Sequence, residues 1–277
     1  MATLELRPRS ATEIVDASFQ LLRANFSPLV TISVAAQLPV LAIRIWLVRI
    51  GLGAGTAPSE VAAQFAQAIG SVLVIGVIII FLAILAQFVI IVAASQAYLG
   101  LAIDPGAAFR RGLQRFFWVV LTYLLVGFGF GVAFAIAAFL PAAVRVIIVL
   151  VLVLVSIVVA LRLIPLNCVA VLEDANPVDV VKRTLFLGQG LIGHMFLTML
   201  LGGLIYFGIA LIAGVLVAVL AAIVPALKDP NVGAVFQTAA AALVYPLIIA
   251  ISVVLYYDLR IRREGFDVEM MSRAMPR

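Results

Sequence analysis

The chain has 277 residues, of which 66% are hydrophobic and only 11% are charged, and its mean hydropathy is +1.28. So few charged groups cannot cover a water-soluble globule of this size, which excludes the ordinary soluble classes and indicates an all-α polytopic membrane bundle. The net charge of +5 is then a topology signal and not a nucleic-acid footprint, so we expect no nucleic-acid partner. The single cysteine, Cys168, excludes an intramolecular disulfide and a multi-cysteine metal site, and we expect no cofactor and no metal.

The first 26 residues predict an amphipathic helix that lies in the membrane interface. Ser10 and Glu13 have the spacing of a capping box, in which each side chain accepts from the other residue's backbone N–H. Apolar residues then recur on one helical face and polar residues on the other. Because no apolar core followed by a cleavage site precedes this helix, we do not expect a cleaved signal peptide.

Six membrane spans are predicted from the hydrophobic pattern. The most apolar stretch, residues 146–160, contains no charge, and we expect the bundle to be organised around it. With its flanks it reaches about 20 residues, enough for a helix to cross a hydrocarbon core about 30 Å thick. The six spans are predicted at residues 28–48, 71–93, 116–140 and 142–165, within 191–226, and at 232–257.

Two segments 72 residues apart indicate an internal repeat. Asp104 and Asn176 each precede a proline, which is typical of a helix N-cap followed by proline at the first helical position. At the same offset, the basic pair Arg110 and Arg111 corresponds to Lys182 and Arg183. The helix after Ser10 is a looser copy without the pair, so we predict three repeats of an amphipathic helix and a two-span hairpin within one membrane domain. The units are approximately residues 10–103, 104–175 and 176–257, followed by a cytoplasmic tail at 258–277.

The basic residues are distributed unequally between the two ends of the predicted spans. Fourteen Lys and Arg residues fall on the side of the termini and four, namely Arg44, Arg49, Arg145 and Lys228, on the other. The positive-inside rule therefore predicts a multi-pass protein of the cytoplasmic membrane with both termini in the cytoplasm.

The last predicted span ends in a run of aromatic and charged residues at 256–267. Tyr256 and Tyr257 suit the headgroup belt, Asp258 and Arg262 have the i,i+4 spacing of an ion pair, and Gly265 is placed to end the helix.

This run, together with residues 6–14 and 172–183, resembles a bacterial six-span family known as the membrane domain of glycerophosphoryl diester phosphodiesterase. The resemblance implies a six-span fold. The family name comes from members that are fused to a catalytic barrel, and this sequence contains no such barrel, so we do not carry the activity over.

An enzymatic role has little support in the residue pattern. Phosphodiester cleavage of that kind needs catalytic histidines and a carboxylate-bound metal, whereas His194 is the only histidine and lies in a hydrophobic run. Intramembrane hydrolysis would pair it with a serine such as Ser156, but no glycine-rich nucleophile turn surrounds that serine. We therefore expect a protein that is not an enzyme.

Transport is the alternative hypothesis: a transporter or channel component for a small solute or lipid. None of the 13 acidic residues is predicted deep in a span, which disfavours a proton-coupled mechanism. The intramembrane polar candidates for such a role are Gln37, Gln87, Arg162 and His194.

The favoured hypothesis is a lipid-interacting or partner-binding accessory module. Basic side chains near an anionic membrane surface contribute about 1 kcal/mol each, so a cluster of them can bind acidic lipids or a partner protein. The expected partners are membrane lipids, anionic ones included, a second protein or another copy of the chain. The competing interpretation is that these residues only set topology. The candidate contact residues are Arg110, Arg111, Arg115, Lys182, Arg183, Arg260, Arg262 and Arg263.

Overall fold

The computed structural model describes residues 7–49, 58–224 and 229–266. Within these ranges the chain forms nine α-helices and no strand, which confirms the predicted all-α class. The helices are α1 (Ala11–Ala24), α2 (Phe26–Arg49), α3 (Pro58–Tyr98), α4 (Pro105–Ala138), α5 (Ala142–Arg162), α6 (Leu166–Leu172), α7 (Pro177–Leu187), α8 (Ile192–Ile223) and α9 (Pro230–Glu264).

Six of the described helices are long and apolar enough to cross a membrane, namely α2, α3, α4, α5, α8 and α9. Several exceed the length that a bilayer needs. Helix α4 has 34 residues, which at about 1.5 Å per residue is roughly 50 Å against a hydrocarbon core of about 30 Å. The long helices therefore extend past the hydrocarbon region.

Helix α1 has the capping box that the sequence predicts. The Ser10 Oγ accepts from the backbone N–H of Glu13 at 3.3 Å, and Glu13 Oε2 accepts from the backbone N–H of Ser10 at 2.7 Å. The apolar face of the helix, which includes the fully buried Ile14, packs on α8 and α9. The amphipathic helix is thus part of the bundle's own packing.

The centre of the bundle is α9, the last helix of the chain. It contacts α1, α2, α3, α6, α7 and α8, and its residues 253–259 are all buried. The stretch at 146–160, around which we expected the bundle to be organised, lies in α5, which has no buried residue. This expectation was wrong because high hydropathy measures compatibility with lipid, and a lipid-facing helix satisfies it as well as a buried one does.

The segment between α5 and α8 contains two helices, one more than the sequence indicated. Helix α5 ends at Arg162, three residues before the predicted end of the span, and the short helix α6 follows it. Helix α7 begins at the predicted cap, where Asn176 Oδ1 accepts from the backbone N–H of Asp179 at 3.0 Å. It ends at Leu187 with Gly188 as its C-cap, and Gly190 with φ of 71° turns the chain into α8.

The two helices that carry the predicted repeat, α4 and α7, differ in how they connect to their spans. The α4 segment runs without a break from Pro105 into its span, whereas the α7 segment is separated from its span by the turn at Gly190. A basic pair and a cap are common to both. The threefold repeat stays a prediction.

The end of α9 corrects two details of the sequence interpretation. Tyr256 and Tyr257, expected in the headgroup belt, are 1% and 4% exposed, and the ring of Tyr257 stacks on Tyr98 with centroids 4.9 Å apart. The helix continues to Glu264, so the predicted tail begins as part of α9. Gly265, with φ of 63°, ends the helix as predicted. Residues 267–277 of the predicted tail lie outside the described residues.

Candidate functional site

Most of the ion-paired side chains in the described residues lie at one end of the bundle, which we call the polar end. It comprises the segment before α1, the first turns of α4, the segment from α6 to the start of α8, and the last turns of α9. Its ion-paired and hydrogen-bonded residues are Arg9, Arg111, Arg115, Glu173, Asp174, Arg183, His194, Tyr256, Asp258, Arg260, Arg262 and Glu264.

The Asp258 side chain on α9 forms hydrogen bonds with the segment before α1, with α8 and with the last turn of α9. Its side chain is 1% exposed, and its Oδ1 accepts from the backbone N–H of Arg9 at 2.6 Å. Its Oδ2 lies 2.9 Å from Nε2 of His194 and 2.7 Å from Nε of Arg262. The Arg262 guanidinium also donates to the carbonyl of Arg9 at 2.6 Å. A buried carboxylate with this many donors is fully satisfied, so this arrangement ties the N-terminal segment and α8 to α9.

A second group of contacts surrounds Arg183. Its Nε donates to Glu173 at 2.8 Å, and its two terminal nitrogens contact the carboxylate of Glu264. Tyr256 donates to the other oxygen of Glu173 at 2.8 Å, and Arg260 donates to Glu264 at 3.1 Å. Burial lowers the pKa of Arg183, but the hydrogen bonds that its guanidinium donates to the carboxylates of Glu173 and Glu264, together with their negative charges, outweigh burial, and the pKa is raised. Arg183 therefore stays charged and links α7 to the end of α9.

Arg111 and Arg115 bind the last carbonyl groups of α6. Arg111 Nε donates to Val171 at 3.0 Å and Arg115 Nε donates to Ala170 at 2.9 Å. These carbonyls have no partner inside the helix, so the arginines act as a C-terminal cap. Arg111 also pairs with Asp174 at 2.7 Å, and this hydrogen bond lowers the pKa of the Asp174 carboxyl.

In each of the two basic pairs, one residue binds other parts of the protein and the other is exposed. The second residue of each pair, Arg111 or Arg183, is held by carboxylates or carbonyls of the protein. The first residue, Arg110 or Lys182, is exposed and makes no hydrogen bond or ion pair within the described residues. Arg263 is exposed as well.

The predicted intramembrane polar residues form no hydrogen bonds with one another within the described part of the chain. Gln37 on α2 and Gln87 on α3 are partly buried, and neither side chain forms a hydrogen bond to another described residue. Arg162 ends α5, and its Nε is buried without a hydrogen-bond partner in the described part of the chain. His194 is the exception, since it joins the polar end through Asp258.

His194 and Asp258 have the contact of a base and its orienting carboxylate, which also occurs in hydrolase triads. In the part of the chain that the structure describes, however, the His194 ring hydrogen-bonds to no serine, threonine or cysteine. Asp258 is shared with Arg262 and with the backbone of Arg9. The contacts are those of a structural clamp between helices.

A groove that the sequence analysis missed lies between α4 and the start of α7. It has a volume of about 970 Å³ and is lined by Leu121, Tyr123, Leu124, Leu125, Gly127 and Phe128 of α4 and by residues 176–179. Its walls are almost wholly apolar on the α4 side and carry polar groups at the α7 end.

The groove continues an exposed apolar face of α4, which we call the α4 stripe. Its residues recur every three or four positions and are therefore on one side of the helix. They are Leu113, Phe117, Leu121, Leu124 and Phe128, with exposed fractions of 49%, 68%, 38%, 62% and 73%. Arg110 lies one turn before Leu113 on the same face, so a helical wheel could have linked the charge to the stripe.

Comparisons with family models, curated proteins and solved structures found no match for this chain.

Proposed function

We propose that this chain is a non-enzymatic accessory protein of the cytoplasmic membrane whose polar end binds anionic lipid headgroups. The observation that carries the proposal is the division of the two basic pairs. Arg111 and Arg183 are used inside the protein, whereas Arg110 and Lys182 project outward with no partner among the described residues. Such side chains are available to an outside anion without breaking any internal contact.

The energies involved are sufficient to select lipids. A basic side chain close to an anionic surface contributes about 1 kcal/mol, which corresponds to roughly a fivefold preference. Arg110 and Lys182 together would then favour an acidic over a zwitterionic neighbour by roughly 2 kcal/mol. The exposed Arg263 adds to this attraction.

The proposal includes membership of the six-span family whose chain ends it resembles, and the placement of the polar end in the cytoplasm. The six apolar helices and the concentration of basic residues at the polar end support both. A role without catalysis is supported by the use of His194, whose ring binds the buried Asp258 and no nucleophile in the described residues.

Lipid retention in single-charge variants tests the proposal. We would purify the protein from vesicles with equal parts of phosphatidylglycerol and phosphatidylcholine and measure the retained lipids by native mass spectrometry. Arg110→Gln and Lys182→Gln should each lower the ratio of acidic to zwitterionic lipid about fivefold.

The matched control is Arg145→Gln. Arg145 is exposed at the start of α5, at the opposite end of the bundle, so its loss removes the same charge without touching the polar end. Equal lipid ratios in all three variants and the unmodified protein would show that the basic residues serve topology alone.

A further inference from the structure

The groove between α4 and α7 has the dimensions of a ligand site. Its volume of about 970 Å³ lies at the upper end of the roughly 300–1,000 Å³ typical of small-molecule pockets. The part on α4 is formed by aliphatic and aromatic side chains, among them Leu124, which is 62% exposed, and Phe128, which is 73% exposed. Because α4 is long and apolar enough to cross a membrane, we expect this surface to open toward acyl chains and not toward water.

The spacing along α4 fits a single leaflet. Arg110 and Leu124 are 14 residues apart, or about 21 Å along the helix axis. Half of a hydrocarbon core of about 30 Å and one headgroup layer together measure about 20–22 Å. A phospholipid whose head is at Arg110 therefore extends its chain into the groove.

Among the residues that line the groove, the charged one is Asp179, and the unpartnered bases Arg110 and Lys182 lie on the helix faces that continue from the groove. Val178 lines the groove, and Lys182 lies one turn further along α7 on the same side. Arg110 lies on the same face of α4 as Leu121, 11 residues or about 16 Å before it along the helix axis. The nearby Asp179 carboxylate accepts from Asn176 Nδ2 at 2.6 Å and lies at the N-terminus of α7, where the helix dipole offsets its charge.

We propose that this groove holds one acyl chain of an anionic phospholipid whose phosphate is bound by Arg110 and Lys182. This proposal rests on the proposed function, the binding of anionic lipid headgroups, and adds the kind of lipid molecule and the position of its acyl chain. We choose a lipid over a second apolar helix as the occupant, because the two unpartnered bases on the faces that continue from the groove would have no counter-charge on such a helix.

Two glycines of α4 allow the groove to be filled in one variant and left open in a matched control. Gly127 lines the groove, and Gly129 lies about 200° around the helix axis and does not. At both positions an added Cβ would meet no atom within 4 Å, so the fold tolerates a side chain. Gly127→Trp would fill the groove, whereas Gly129→Trp would place the same ring on another side of α4.

The readout is the number of phospholipids that survive gentle activation in native mass spectrometry, after reconstitution in pure phosphatidylglycerol or pure phosphatidylcholine. We expect the unmodified protein and Gly129→Trp to retain one phosphatidylglycerol that Gly127→Trp has lost. In phosphatidylcholine, retention by the unmodified protein should be at least tenfold weaker. A thermal unfolding curve for each variant verifies the fold, and the smaller Gly127→Leu serves if the tryptophan variant unfolds.

The outcomes separate the two proposals. If Gly127→Trp retains lipid as the unmodified protein does while Arg110→Gln still lowers the acidic-lipid ratio, the groove inference is overturned and the proposed function stands. If Gly127→Trp loses a lipid that is held equally well as phosphatidylcholine, the groove takes a chain but the anionic ligand is overturned. If neither the groove nor the charge variants change retention, both proposals are overturned.

Discussion

The Asp258 carboxylate accepts a hydrogen bond from the backbone N–H of Arg9, 249 positions earlier in the chain, at 2.6 Å. This contact joins the segment before α1 to the last turns of the central helix α9. Because His194 and Arg262 bind the other oxygen of the same carboxylate, the two ends of the described chain are held at one point. The clamp keeps α1 packed on α8 and α9 and thereby fixes one side of the polar end.

Asp258→Asn should destabilise the protein by about 2 kcal/mol. The amide keeps the shape of the carboxylate but removes the charge that Arg262 binds, and hydrogen bonds to charged groups contribute roughly 1.5–3 kcal/mol. Thermal or denaturant unfolding in detergent measures the change. Asp16→Asn is the control, because Asp16 is exposed on α1 and forms no hydrogen bond with another described residue. Equal stability of the two variants would contradict the clamp.

Local signals in the sequence were enough to predict where several helices begin and end. The cap at Ser10, the cap at Asn176 and the stop at Gly265 each depend on residues within four positions of one another, and all three are present. The spans were predictable for a similar reason, since an uninterrupted apolar run of about 20 residues rarely forms any structure other than a membrane-spanning helix.

Local signals did not predict which spans are buried in the bundle or which basic residues find a partner within the protein. Residues 146–160 are the most apolar but face outward, because lipid solvates them as well as a protein core would. Arg110 and Arg111 are adjacent in sequence, yet a rotation of about 100° per residue sends one outward and the other to Asp174, 63 positions away. Which of the two would find a partner depends on where α6 and α7 pack.

A double-mutant cycle on Arg183 and Glu264 should give a coupling energy of about 1 kcal/mol or more. The pair joins α7 to α9, and its side chains are only 31% and 19% exposed, so solvent screens the attraction in part. The variants are Arg183→Gln, Glu264→Gln and the combination, and their unfolding free energies supply the coupling.

The exposed pair of Arg7 and Glu13 is the matched comparison for this cycle. These side chains are 51% and 41% exposed, and solvent screens pairs of that kind so that they couple weakly. A coupling between Arg183 and Glu264 no larger than that of the exposed pair would show that the contact adds little to the docking of α7.

The Cys168 thiol should resist alkylation in the folded protein. Its side chain is 1% exposed within α6, and burial raises the pKa of the thiol to about 12. Since the thiolate is the nucleophile, the reactive form is scarce at pH 8 and a reagent has no access to it. Maleimide labelling followed by intact-mass measurement should find the folded protein unlabelled and the denatured protein labelled once. A cysteine introduced by Gln189→Cys, at an exposed position, should react quickly in the folded state and verifies the reagent.

The stability of α1 should fall at acid pH through Glu13. The backbone hydrogen bond from Ser10, followed by the hydrogen bonds with Arg7 and the Ser10 side chain, lowers the pKa of the Glu13 carboxyl from 4.5 to about 2. A carboxyl whose pKa is lower in the folded than in the unfolded protein stabilises the folded state. This contribution is complete when the pH is above the pKa in the unfolded protein, about 4.5, and is lost as the pH falls to about 2. Thermal unfolding midpoints measured between pH 6 and pH 2.5 should therefore converge for the unmodified protein and Glu13→Gln as the pH decreases. A difference between the two proteins that stays constant over this range would mean that the capping box contributes through its shape and not through its charge.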